Sequence, residues 1–106
     1  MEELMTLTQN YSVEALRLYQ ILKTENNEPY LARKILTNGL ESGLLLRSEA
    51  VISPEIKDKL KKYNVEMEYL LEVIKASGCF SDDIFSNLFS LTVLIGQKLS
   101  GKEEEQ

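Results

Sequence analysis

Ile56, Leu60, Tyr63, Met67, Leu70 and Ile74 recur at steps of four and three residues. That spacing puts all six on one face of an α-helix and would scatter them over both faces of a strand. The same rhythm runs through three other stretches. Leu4, Thr8, Tyr11, Ala15, Leu18 and Leu22 mark the first, and Ala32, Leu36, Gly39, Gly43, Leu46 and Ala50 the second. Ile84, Leu88, Leu91 and Ile95 mark the last. No stretch alternates apolar and polar residues as a half-buried strand would, and Asn38-Gly39 falls inside a helical pattern. Four apolar stripes have only one another to pack against. The chain is expected to be all-α.

Prolines, glycines and caps divide the pattern. Pro29 suits the first turn of a helix, where its missing N–H costs nothing, with Asn27 or Glu28 before it. Ser53-Pro54-Glu55 repeats that logic with a serine cap and an acid near the positive helix end. Ser77-Gly78 closes the third helix and Ser81-Asp82-Asp83 caps the fourth. The first start has two candidate caps, Thr6 with Gln9 and Ser12, and Glu25-Asn26-Asn27 ends that helix. Helices are therefore expected over 4–24, 29–51, 54–77 and 82–100, followed by an acidic tail at 101–106. Short connections make consecutive helices antiparallel neighbours. A repeat near 3.5 residues favours crossings of about +20°. The expected architecture is an up-and-down, left-handed four-helix bundle in one domain of 106 residues.

Charge and cysteine content narrow the function classes. The net charge of −5 resides mostly in Glu2, Glu3 and Glu103–Glu105, so the remainder is nearly balanced and nucleic acid is not excluded. Cys79 is the single cysteine, so no internal disulfide can form. The opening Met1-Glu2-Glu3-Leu4 has none of the basic and apolar regions of a signal peptide. No apolar run reaches the roughly 18 residues that span a bilayer. A cytoplasmic protein without a membrane partner is expected.

Two helices carry more apolar surface than an isolated bundle needs. Ile84 through Gln97 contains no charged residue, and Phe85, Phe89 and Val93 add a second ridge at i, i+4 and i+8. Val65, Tyr69 and Val73 lie nearly opposite the Met67 stripe of the third helix. Aligned outward apolar stripes are unusual on monomers, so these six residues are expected to form an interface between copies. Two different stripes suit a head-to-tail contact, which closes into a ring. Gly39 and Gly43 each cost a helix about 1 kcal/mol relative to alanine, and close helix packing is the compensation expected.

Catalytic chemistry is sparse. The chain has no histidine, which removes Ser-His-Asp, Cys-His and Glu-x-x-His constellations. Glu68 and Glu72 share a helix face but read as solvated carboxylates beside Lys75, and Cys79 reads as packing. No phosphate-binding or dinucleotide fingerprint occurs. No enzyme activity, cofactor, metal or small-molecule substrate is expected. The densest basic cluster comprises Lys57, Lys59, Lys61 and Lys62, with Arg47 placed to join Lys57, Lys61 and Lys62 in contacting nucleic acid. Repeated around a ring, even a weak patch would become multivalent.

The run Glu66-Met67-Glu68-Tyr69-Leu70-Leu71-Glu72-Val73-Ile74-Lys75-Ala76-Ser77-Gly78 resembles a pattern of the short bacterial four-helix-bundle proteins encoded by intervening sequences in 23S ribosomal RNA genes. Phe85 follows at the matching distance. Gly39 and Gly43 with Arg47, and Leu18-Tyr19-x-x-Leu22, resemble the same family's second and first helices. The resemblance covers most of residues 4–100. It implies a four-helix bundle assembled as a homopentameric ring, acting as a scaffold or accessory protein. Some relatives accompany the reverse transcriptase of diversity-generating retroelements, which implies nucleic acid or a nucleic-acid enzyme as the alternative partner. This chain lacks the basic excess of that branch.

Overall fold

The structure, a computed structural model, describes residues 2–24, 29–48, 52–77 and 83–100. Four helices follow in order: α1 (Glu2–Thr24), α2 (Pro29–Arg47), α3 (Pro54–Ser77) and α4 (Asp83–Ser100). Each packs against its neighbours in the chain and α1 closes on α4, while the diagonal pairs stay apart among the described residues. Met5 meets Arg47 and Ser12 meets Gly39, so α1 and α2 run antiparallel. Lys98 of α4 reaches Glu3 of α1 at 2.8 Å, again joining opposite ends. The expected up-and-down four-helix bundle is the observed one. No helix among the described residues is long and apolar enough to cross a membrane.

The ends differ from expectation in two places. α1 starts at Glu2, and neither Thr6 nor Ser12 caps it. Thr8 and Ser12 instead turn their hydroxyls onto the helix's own carbonyls at Met5 and Thr8. α2 stops at Arg47, short of residue 51. The Ser48 N–H is shared between the carbonyls of Leu44 (3.0 Å) and Leu45 (3.3 Å), and its hydroxyl donates to Leu45 O, which tightens and ends the last turn. Ser53 caps α3 as its position demands, accepting from the Ile56 N–H at 3.2 Å. The breaks expected at 25–28 and 78–82, Ala50 and the acidic tail lie outside the described residues.

The α1 stripe is buried throughout, from Leu4 to Leu22. Elsewhere the inward face rotates by about one residue. In α2 Ile35, Asn38 and Ser42 join Ala32, Gly39, Gly43 and Leu46 inside, while Leu36 is half-buried. In α3 Asn64 and Leu71 point inward where Tyr63 and Leu70 were expected. In α4 Phe85, Leu88, Thr92, Ile95 and Leu99 form the buried line, and Ile84 and Leu91 pack beside it. Steps of four and three fit either of two adjacent positions, and the geometry of the bundle selects between them.

Gly39 explains one such choice. A Cβ placed on it would collide with the Cβ of Ala15, so its absence lets α1 and α2 cross closely. The Ser12 hydroxyl, shared with Thr8 O, reaches the Gly39 carbonyl at 2.6 Å across that crossing. One turn further, Gly43 leaves room for the Arg47 guanidinium. Gly96 does the same for Asn64 between α3 and α4. Tyr11 is fully buried with no hydrogen-bond partner for its hydroxyl among the described residues, and burial pushes its phenol well above the ordinary value.

Candidate interaction surface

The outward face of α3 follows directly from its inward one. With Leu60, Met67 and Leu71 buried, residues half a turn away must face solvent. Val65 and Tyr69 are each 65% exposed and Val73 is 44% exposed. They stand at i, i+4 and i+8 on a rigid 24-residue helix. The three lie in one row. Toward the N-terminal end the row meets Asp58, Lys59, Lys61 and Lys62, which line with Val65, Glu66 and Tyr69 a shallow depression of about 680 Å³.

The second expected stripe, on α4, is different. Phe85 is only 8% exposed and belongs to the core of its own subunit. Phe89 is half-buried against that core, its ring centroid 6.2 Å from that of Phe85 and tilted by 39°. Val93, 38% exposed, is what the ridge leaves outside. The correction has a physical origin. Over fourteen consecutive positions, Ile84 to Gln97, α4 carries no charge, and its outward face is marked by the exposed Ser86, Asn87, Ser90 and Gln97. With that face in solvent, packing against α1 and α3 draws Phe85 inward and leaves Phe89 at the border.

Arg47 also departs from its expected place. Its guanidinium donates to the carbonyls of Gly43 (3.1 Å) and Met5 (2.9 Å), with a longer contact to Thr8 Oγ1 at 3.4 Å. It clamps the end of α2 onto α1 and does not join the lysines of α3. Lys61 and Lys62 are exposed and Lys57 is half-buried, so three of the four expected basic contacts share the α3 surface. Lys59 belongs with them in the depression.

Two groups beside the grooves, exposed Tyr30 and buried Asn64, were not expected from the sequence. Tyr30, 75% exposed at the first turn of α2, borders a groove between α2 and α3 with Lys34, Tyr63 and Glu66. Lys34 pairs with Glu66 across that groove at 3.7 Å. Asn64 lies at the base of a groove between α3 and α4, its Oδ1 without a partner among the described residues. Aromatic position beside Pro29 was the only available signal for Tyr30. Asn64 gave none, because an asparagine within a helical stripe normally reads as surface.

Glu68 is half-buried and Glu72 exposed. Among the described residues no group of three His, Cys, Asp or Glu side chains is placed to hold a metal ion. The arrangement offers an apolar row, flanking charges and a shallow depression. Such features suit contact with another surface. Comparison with known family models, curated proteins and solved structures finds no match to this chain.

Proposed function

We propose that this chain is a non-enzymatic helical bundle that self-associates and acts as a scaffold or accessory factor for another macromolecule. The observation carrying the reading is the exposed row Val65, Tyr69 and Val73. Burying such a row is worth roughly 25 cal/mol per Å² of apolar surface, so solvent exposure is costly unless a partner covers it. The kinship in kind is with the 23S rRNA intervening-sequence proteins that the chain resembles, which makes it a bacterial, cytoplasmic protein. The resemblance puts the number of copies at five, a ring that needs two different faces. With Phe85 inside the subunit, that number rests on the resemblance alone.

Solution mass by light scattering tests the reading. Wild type is expected well above the 12.1 kDa of one chain, and Tyr69→Glu is expected to shift it toward one chain without changing helical content. A wild type at monomer mass over the accessible concentration range overturns self-association.

A second reading is supported by the convergence of Lys59, Lys61 and Lys62 with exposed Tyr69 in one depression. Lysines neutralise phosphate, and a tyrosine ring can stack on an unpaired base. On this reading the chain is an accessory factor beside a nucleic-acid enzyme such as a reverse transcriptase. It predicts binding of a single-stranded oligonucleotide that falls steeply between about 50 and 200 mM salt. Replacing Lys59 and Lys62 by glutamate then weakens binding at least about tenfold. Binding unchanged by that double substitution, or none at low salt, removes this alternative.

A further inference from the structure

The charges of α3 are sorted along its length. In the half nearer its start Lys57, Lys59, Lys61 and Lys62 outnumber Glu55 and Asp58, and in the half nearer its end Glu66, Glu68 and Glu72 outnumber Lys75. Its terminal turns suit the helix dipole, with Glu55 at the start and Lys75 at the end. Between them the sorting sets like charges four residues apart, Lys57 next to Lys61 and Glu68 next to Glu72, where they repel. Both pairs lie on the flank of the apolar row that faces α4, and Lys61 and Glu68 border the groove between the two helices. Among the described residues no salt bridge engages any of these four side chains. Within one subunit these two like-charged pairs are unfavourable. A surface with the opposite order of charge would compensate both.

The same helix reversed has that order. We propose that the exposed face of α3 docks a second copy of this chain, the two α3 helices lying antiparallel about a two-fold axis beside Val65. Reversal places the lysine pair of one copy opposite the glutamate pair of the other, on the same flank, and symmetry makes the contact twice. Val65 lies near the midpoint of the two pairs and meets its own equivalent. Tyr69 then covers the aliphatic stems of Lys61 and Lys62 in the other copy, with their ammonium groups free to reach the carboxylates. From Lys57 to Val73 the contact is about 24 Å long. A parallel copy would set lysine against lysine and glutamate against glutamate.

The inference rests on the self-association reading and replaces the ring's two-faced contact with one self-complementary face. A helix-on-helix contact of this length is at the small end of specific interfaces, so the dimer should be concentration-dependent. It should also weaken with salt, because its ion pairs sit at the rim.

Charge exchange separates the outcomes. One variant carries Lys57→Glu and Lys61→Glu, and another carries Glu68→Lys and Glu72→Lys. Sedimentation equilibrium should show a wild-type dimer and a self-dissociation constant raised at least tenfold in each variant. An equimolar mixture should restore dimer, because each variant now matches the other, and the fourfold variant should restore it in a single chain. Circular dichroism confirms that every variant remains helical. If the mixture and the fourfold variant stay monomeric, the antiparallel contact is wrong. An assembly larger than a dimer that survives both reversals keeps self-association and overturns this geometry. A monomeric wild type overturns both.

Discussion

Gly39→Ala should destabilise the bundle by about 1–3 kcal/mol, although alanine is the better helix former by about 1 kcal/mol. The reason is the crossing of α1 over α2. The added methyl would occupy the space of the Ala15 Cβ, which is fixed to backbone and cannot swing aside. Relief requires the helices to separate, which stretches the contact from Ser12 to the Gly39 carbonyl and loosens Met67 above it. Gly43→Ala makes the control. Its methyl would sit 3.3 Å from Arg47 Nη1 and Ser12 Oγ, both at the ends of side chains. Small adjustments there offset the gain in helix propensity, and the net change should stay within about 0.5 kcal/mol. Urea unfolding of both variants measures the difference. A Gly39→Ala protein as stable as wild type would mean that the crossing is not close-packed.

Phe85→Ala should cost about 3 kcal/mol, at the lower end of the range for deleting a buried phenylalanine side chain. At 8% exposure the ring is packed within its own subunit, part of the same buried core as Leu88 and Ile95 and tilted against Phe89. For a small domain such a loss lowers the melting temperature by more than 10 °C, taking about 4–8 °C per kcal/mol. Tyr69→Ala should leave the unfolding of the dissociated subunit within about 0.5 kcal/mol, because its ring is exposed. The two aromatics therefore separate core from interface. Thermal melts at a concentration low enough to disfavour assembly make the comparison. Should Phe85→Ala melt like wild type under those conditions while Tyr69→Ala does not, the rotation assigned to α4 is reversed.

The self-association reading and the antiparallel contact share one face but fail differently. Mass alone tests the first. Rescue by exchanged charges tests the second. The nucleic-acid reading uses Tyr69, Lys61 and Lys62, which the antiparallel contact covers, so the two readings compete for one face. Oligonucleotide binding should therefore weaken as the protein concentration is raised through the dimer transition.

Helix positions were legible because two local rules agreed. Apolar residues at steps of four and three define a face, and Pro29 and Ser53-Pro54 mark where a new backbone turn can begin. The rotation of α1 was also legible, since Leu4, Tyr11, Leu18 and Leu22 oppose a polar face containing Glu3, Asn10, Arg17 and Gln20. α3 was partly legible. Its exposed row Val65, Tyr69 and Val73 was expected, but Asn64 was not expected inside. Its burial depends on the space left by Gly96, a residue 32 positions away on another helix.

By itself, then, the sequence determined four helices, their approximate limits, the inward stripe of α1 and the sorted charges of α3. These depend on local periodicity and on side-chain chemistry that is the same in any environment. Only the tertiary structure decided which way α4 turns, that Phe85 is core, and that Arg47 clamps α1. The polar face of α4, with Ser86, Asn87, Ser90 and Gln97, carries no charge, so how far Phe85 and Phe89 beside it turn inward is set by the shape of the neighbouring helices. A guanidinium goes to whichever carbonyls the fold brings within reach, and here those are Met5 and Gly43.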